Sequence, residues 1–282
     1  MPDAFLVGAG LSYGLTTGRL PLTADLYAIL ASDAACAPIL GRYTTKKIDT
    51  VLSYLDLALA TSEEAGRAGL EKDRAVLEAA INAACSNDGA TEGSKAFCSQ
   101  LPKGSRVFTF NYDLLLEKSL WELGRWSPRG GYGGFDPGFL LEHVRANTDQ
   151  ITFFKLHGSL NFHLYSVLGA ADLFVDVEIS ETDFAGLGGS VSSANDRKKV
   201  GFGIYPSYLK SYSVPSVRAN WRAAFNAIAE CDRLFSIGYS FPPEDPLSNF
   251  LVDEYLLPDP RKRRSPRKLG HVKVESEVVK SR

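Results

Sequence analysis

The sequence predicts an α/β fold, with an open, doubly wound parallel sheet and a helical insertion between its first two strands. Several short apolar runs are continuous rather than alternating, which is typical of strands buried on both faces. Helix-like segments separate these runs, and this alternation favours a sheet covered by helices on both sides. The segment between the first two runs, at about residues 32–100, is far longer than an ordinary connection and is rich in helix formers.

Five apolar runs are predicted strands, at residues 5–7, 107–110, 151–156, 200–204 and 234–237. Five stretches between them are predicted helices: "ADLYAILAS", which Thr23 can cap, "IDTVLSYLDLAL", "EKDRAVLEAAINAAC", "DLLLEKSLWEL" and "VRANWRAAFNAIAEC". The glycine-rich stretches "SPRGGYGGFDPG" and "AGLGGSVSSANDRKK" are predicted loops.

Composition and charge divide the 282 residues into two parts, a domain at 1–258 and a basic tail at 259–282. The whole chain has a net charge of −2, which gives no general case for a nucleic-acid binder. From residue 261 onwards, however, nine Lys or Arg stand against two Glu. We expect a solvated extension there, and an edge strand at 271–274 is the alternative. Nucleic acid is disfavoured as a partner, and any binding of it is expected only through this tail.

Cysteine usage and hydropathy indicate a cytoplasmic protein with reduced thiols. The four cysteines are far apart and form no C-x-x-C pair, so we expect no thiol-bound zinc and no metal; they are Cys36, Cys85, Cys98 and Cys231. The first apolar run is short and follows Asp3, unlike a secretory signal. No stretch approaches the length that spans a bilayer, so no membrane partner is expected.

Glycine or polar residues follow every predicted strand. The five strand ends read Gly8-Ala9-Gly10-Leu11-Ser12, Asn111-Tyr112-Asp113, His157-Gly158-Ser159, Tyr205-Pro206-Ser207 and Gly238-Tyr239-Ser240, the last with Asp245 shortly beyond it. Open α/β sheets bind ligands at the carboxyl ends of their strands. The sequence therefore predicts one ligand cleft at this edge of the sheet.

The first of these turns is suited to a phosphate group. Its glycines let the backbone approach a pyrophosphate closely, and N–H groups at a helix start favour an anion. The spacing G-x-G-x-x-x-G is one residue longer than the usual dinucleotide fingerprint, and no second strand with an acidic residue follows about twenty positions later. This disfavours a hydride-transferring dehydrogenase. A plain strand-to-helix turn remains the alternative.

The second strand end offers Asn111 and Asp113, whose side chains share a face if the strand continues. Both could then point into one cleft. An Asx turn is the alternative, because these residues often bond to their own backbone.

His157 is the candidate base. It stands at a predicted strand end beside Gly158, which leaves room for a ligand. An imidazole with an ordinary pKa near ~6.5 accepts a proton at neutral pH. His163, expected in the following loop, is a weaker second candidate, and His143 and His271 are expected to be structural.

Four motifs in this order resemble SIR2-like domains, the bacterial relatives of sirtuins: "GAGLS", "FTFNYD", "FKLHGS" and "FSIGYSFPPEDP". The resemblance covers roughly residues 4–250. It implies a Rossmann-like fold that binds NAD as substrate. By resemblance, the pyrophosphate is held by Gly8, Ala9, Gly10 and Ser12. The ribose and nicotinamide end is held by Asn111 and Asp113, with Gly158 and Ser159 beside them, and the catalytic residues are Asn111 and His157. The adenosine side is lined by Gly238, Tyr239 and Ser240.

The resemblance leaves three activities open. Sirtuins transfer the ADP-ribosyl group of NAD to an acyl-lysine, whereas many bacterial relatives transfer it to water and deplete NAD during phage infection. This chain lacks the sirtuin four-cysteine zinc module, and "GRLPLTADL" stands where sirtuins carry Asp-Phe-Arg. We therefore expect an NAD⁺ glycohydrolase; a non-catalytic NAD or ADP-ribose sensor and an NAD-dependent protein deacylase or ADP-ribosyltransferase are the alternatives. Relatives often work with a partner module, so a homo-oligomer or a separate activator protein is expected.

Overall fold

A computed structural model describes residues 2–86, 89–134, 151–168, 173–179, 200–203, 205–209, 214–242, 245–256 and 269–272. The predicted loop at 185–199, His143 and most of the basic tail lie outside these described residues.

Strands and helices alternate along much of the chain. The strands are β1 (Asp3–Val7), β2 (Arg106–Thr109), β3 (Thr152–Lys155), β4 (Gly158–Leu168), β5 (Leu173–Ile179), β6 (Val200–Gly203), β7 (Arg233–Ile237) and β8 (Leu269–Val272). The helices are α1 (Ala9–Leu15), α2 (Thr23–Ala31), α3 (Ala37–Leu40), α4 (Ile48–Thr61), α5 (Glu64–Ala84), α6 (Glu92–Gln100), α7 (Leu115–Glu122), α8 (Pro128–Gly131), α9 (Pro215–Ala229) and α10 (Pro246–Leu256).

The central sheet is parallel, in the order β3-β2-β1-β7-β8. Four of the five predicted strands lie in it, so the α/β class and the parallel sheet are confirmed. The strand order turns back between β1 and β7, which is compatible with a Rossmann-like fold. The edge strand β8 lies within the basic tail, where 269–272 pair with β7.

The predicted parallel strand at 200–204 is wrong in its partners. β6 belongs to a separate antiparallel sheet, in the order β5-β4-β6. The reason lies just after β3: Gly158 has a φ of +83° and turns the chain into β4, which then offers β6 an antiparallel edge. A short apolar run does not by itself indicate which strand it pairs with.

The five predicted helices are confirmed as α2, α4, α5, α7 and α9. In α4 the apolar positions at helical spacing are buried, with Val51, Leu52 and Leu55 fully covered. Thr23 does not cap α2 as predicted. Leu22 holds the cap position, and its backbone N–H donates to the carboxylate of Asp25, at 3.2 Å. Along the chain, α1 to α6 all lie between β1 and β2.

Helices cover both faces of the parallel sheet. On one face Leu6 packs in the same cluster as Trp221 of α9 and Leu251 of α10. On the other, Val7 packs in a cluster with Cys98 of α6 and Leu120 of α7. Alternate residues of β1 thus face opposite layers, as buried parallel strands require. None of the helices in the described ranges combines the length and apolarity needed to cross a bilayer.

Candidate functional site

The turns after β1 and β7 are packed against each other, backbone to backbone. Gly8 N–H donates to the carbonyl of Ile237 at 3.0 Å, and Gly10 N–H donates to that of Gly238 at 2.9 Å. A Cβ placed on Gly8 would lie 2.4 Å from the Gly238 oxygen. Ala9 begins α1 directly after this contact. The glycines of the first motif are therefore required by the packing of two turns, whatever ligand the turn binds.

Gly238→Ala is expected to destabilise the protein more than a Gly→Ala substitution at an ordinary glycine of left-handed conformation. Gly238 has a φ of +63°, and an added Cβ would lie 2.2 Å from the backbone N of Leu11. Gly124 is a matched control, because its φ is +64° and nothing lies within 4 Å of its added Cβ. We expect Gly124→Ala to lower the free energy of unfolding by about 1–2 kcal/mol, and Gly238→Ala to lower it by at least about 2 kcal/mol more, as measured by denaturant unfolding. Equal losses in the two variants would contradict this packing.

The first and second motifs are joined by a side-chain hydrogen bond. The amide Nδ2 of Asn111 donates to Oγ of Ser12 at 3.0 Å. Ser12 is buried on α1, and Asn111 is partly exposed directly beyond β2. Two residues that the sequence singles out are thus in contact across neighbouring strand ends.

Asp113 is engaged in a different contact. Its Oδ1 accepts from the backbone N–H of Leu115 at 3.1 Å, which fixes the loop at the start of α7. Its carbonyl accepts from Nζ of Lys155 at 2.6 Å. The Asx-turn alternative therefore describes what this carboxylate does, and its predicted contact with the ribose remains a prediction.

A buried ion pair lies beneath the same loop. Nζ of Lys155 stands 2.9 Å from Oε1 of Glu117, and the two side chains are 1% and 2% exposed. Burial raises the pKa of Glu117, and the Lys155 ammonium opposes that shift. Lys155 therefore ties β3 to the loop that carries Asn111 and Asp113.

His157 is buried shortly after the end of β3 and is 5% exposed. The ring centroids of His157 and Phe110 are 4.8 Å apart in an edge-on arrangement. Phe110 directly precedes Asn111, with Cα atoms about 3.8 Å apart, so the backbone that carries Asn111 passes close to His157.

An acidic partner faces the imidazole. Nε2 of His157 lies 3.4 Å from Oδ2 of Asp245, a carboxylate that is 2% exposed. The hydroxyl of Tyr239 donates to the same oxygen at 3.0 Å, and the Tyr239 ring stacks on Phe110 with centroids 4.8 Å apart. Tyr239, expected on the adenosine side, is therefore also a neighbour of His157; Ser240, next to it, is exposed.

The remaining predicted residues of the third motif shape the turn. Gly158 adopts the left-handed conformation and stands opposite Gly203 in the antiparallel sheet. Oγ of Ser159 donates to the carbonyl of Tyr112 at 3.4 Å, which links this turn to the second motif. His163 lies on β4 rather than in a loop.

The fourth predicted strand end contacts the second motif as well as α4, since the ring of Tyr205 packs on that of Tyr112 with centroids 5.6 Å apart. Oγ of Ser207 donates to Asp56 at 2.6 Å, and the backbone N–H of Tyr208 donates to Ser53 at 2.8 Å, so residues 205–209 are held against α4. All five predicted strand ends are thus in contact with one another, the fourth through Tyr205 and Tyr112.

The sequence prediction assigns no role to two parts of the site. Asp245 immediately precedes α10, whose first residue is Pro246, so its sequence context is typical of a helix cap and hides its position beside His157. The pairing of Lys155 with Glu117 joins residues on different elements, and no spacing rule reveals it. Only Asp245 could have been suspected, from its place within the last motif and shortly after the fifth strand end.

A separate cavity of about 360 Å³ lies past the C-terminal end of α1. It is lined by Thr16, Arg19, Leu20, Ser86, Gly89, Ala90 and Thr91. None of the predicted site residues lines it. We place the candidate site at the strand ends, because the imidazole, the carboxylate and the motif glycines meet there.

Comparison of the sequence with models of known protein families gives no match, and comparison with curated proteins gives none either. Within the described residues, no three His, Cys, Asp or Glu side chains form a group able to hold a metal ion.

Proposed function

We propose that the chain is an NAD⁺ glycohydrolase that cleaves the bond between nicotinamide and ribose, with water as the acceptor. The observation that carries the proposal is the convergence of four motifs at one edge of the sheet. Gly10 contacts Gly238 at 2.9 Å, Ser12 contacts Asn111 at 3.0 Å, and the ring of His157 lies 4.8 Å from that of Phe110. A dinucleotide that crosses the switch between β1 and β7 would meet all four.

The chemistry of the substrate suits the groups present. Nicotinamide is bound to ribose as a pyridinium, so it departs as a neutral molecule and takes the bonding electron pair with it. Ordinary glycosides need a carboxylic acid to protonate the departing oxygen, and this bond does not. One base and a polar contact to the ribose are therefore sufficient groups for hydrolysis.

In the proposed reaction His157 is the general base. The oxygen of a water molecule forms a bond to the anomeric carbon as the bond to nicotinamide breaks. The proton lost by that water goes to the imidazole, which acts as the base in its neutral form. Asn111 orients the ribose and the water, and its contact with Ser12 holds its side chain in place.

The proposal is tested by incubating the purified full chain with NAD⁺ and separating the products by chromatography. Hydrolysis predicts nicotinamide and ADP-ribose without any added peptide, whereas a cyclised ADP-ribose would mean that an atom of NAD itself, rather than water, is the acceptor. Tight binding of intact NAD⁺ would instead indicate a sensor. Nicotinamide release that requires an acyl-lysine peptide would indicate a deacylase. If hydrolysis is found, depletion of NAD⁺ during phage infection is the setting that the sequence resemblance suggests.

Asn111→Ala is expected to lower kcat for nicotinamide release by about 10²-fold, because the ribose and water lose an orienting contact. Asn82→Ala is the matched control. Asn82 also uses its side-chain amide in a hydrogen bond, accepting from the hydroxyl of Tyr205 at 3.1 Å, but it lies in α5 and belongs to none of the four motifs. Steady-state rates for both variants and the unmodified chain show whether Asn111 contributes to kcat. An unchanged kcat in Asn111→Ala would remove Asn111 from the mechanism.

A further inference from the structure

The imidazole of His157 contacts the aromatic ring of Phe110 and lies near the carboxylate of Asp245. Phe110 contacts the His157 ring on one side and stacks on the Tyr239 ring on the other, with both centroid distances at 4.8 Å. Phe241 packs edge-on against Tyr239 at 4.9 Å. Around an imidazole that is only 5% exposed, this packing restricts rotation of the ring.

Asp245 faces one nitrogen of that ring. Its Oδ2 lies 3.4 Å from Nε2 of His157 and accepts a hydrogen bond from the hydroxyl of Tyr239 at 3.0 Å. Because Oδ2 already accepts from that hydroxyl, it presents acceptor lone pairs to Nε2.

We propose that Asp245, supported by Tyr239, is a positioning residue that keeps the proton of neutral His157 on Nε2. This inference rests on the function proposed above, because it assigns the basic atom of that reaction. A lone pair on Nε2 would face the carboxylate oxygen and be repelled by it, whereas an N–H there is attracted. The lone pair that takes the proton from water is then on Nδ1.

The tautomer can be measured without any catalysis. In protein labelled with ¹⁵N at histidine, the shifts of the two ring nitrogens tell which one carries the proton. The His157 signals are assigned by their loss in His157→Gln. We expect a protonated Nε2 and an unprotonated Nδ1 in the unmodified chain at a pH where His157 is neutral. In Asp245→Asn we expect both tautomers, since an amide can donate to Nε2 as well as accept from it.

The variant is chosen so that folding is retained. Asn is as good as Asp at the position before a helix, so the start of α10 should persist in Asp245→Asn. Tyr239→Phe keeps the stacked ring and removes only the hydroxyl. Asp33→Asn is the matched control for the substitution, because Asp33 accepts from the backbone N–H of Ala35 at 2.8 Å outside the site.

Steady-state values of kcat and KM for these variants distinguish a positioning role of Asp245 from a role in substrate binding. We expect Asp245→Asn to lower kcat by about 10²-fold with little change in KM, and Tyr239→Phe to lower it by about tenfold. Asp33→Asn should leave kcat unchanged. An Nε2–H tautomer that persists in Asp245→Asn, or a shifted tautomer with unchanged kcat, would overturn the proposal. If the unmodified chain cleaves no NAD⁺, the proposed function fails, and the tautomer in Asp245→Asn still decides the role of Asp245.

Discussion

Replacing His157 by alanine is expected to lower kcat for nicotinamide release by about 10²–10⁴-fold, the usual contribution of a general base. The imidazole packs against Phe110, which directly precedes Asn111, and it is buried where solvent cannot replace it freely. The glycine turns that would bind the pyrophosphate are not altered by the substitution. KM for NAD⁺ should therefore change much less than kcat.

Two further measurements distinguish lost chemistry from lost structure. Thermal unfolding should show that His157→Ala and His157→Gln remain folded. Added imidazole should restore part of the activity of His157→Ala, because the deleted ring leaves space for it, but not that of His157→Gln. Full activity in the folded alanine variant would exclude His157 as the base.

The second large effect concerns stability. Lys155→Met is expected to destabilise the fold by about 3–5 kcal/mol, because it leaves the buried carboxylate of Glu117 without its charged partner. The contact between Lys155 and the Asp113 carbonyl is lost as well. Denaturant unfolding at pH 7 measures this loss. The loss should shrink as the pH falls, since a protonated Glu117 no longer buries an unpaired charge.

A double variant identifies the cause. Lys155→Met combined with Glu117→Leu removes both charges and should recover most of the lost free energy, because apolar pairs often replace buried ion pairs without cost. A double-mutant cycle then gives a large coupling energy between the two positions. A single variant within about 0.5 kcal/mol of the unmodified chain, or additive losses in the double variant, would contradict the account.

The sequence predicts the parallel sheet well, because strands buried on both faces leave continuous apolar runs. Phe108 and Phe154 lie at matched positions of β2 and β3, with rings stacked at 4.8 Å, as two such runs predict. The sequence also predicts that the ends carrying Ser12 and Asn111 lie in one cleft, although not the hydrogen bond between them. Once both strands are parallel neighbours, their carboxyl ends necessarily meet.

Other features depend on tertiary pairing, which local pattern does not encode. β6 has an apolar run like the others, yet it pairs with β4, the strand that begins at the left-handed Gly158. Asp245 and Lys155 act through contacts with residues far away in sequence. The glycines of the first motif have a second explanation, since Gly8 and Gly10 pack on Gly238. A phosphate-binding motif and a close-packed turn look the same in sequence.

The central claim is that the four motifs form one dinucleotide site, and a structure of the complex with ADP-ribose tests it most directly. ADP-ribose is the expected product, so it cannot be consumed during the measurement. The account predicts the pyrophosphate against residues 8–12 and the terminal ribose within hydrogen-bond distance of Asn111, beside His157. ADP-ribose bound in the cavity around Thr16 and Arg19, or no binding at millimolar concentration, would contradict it.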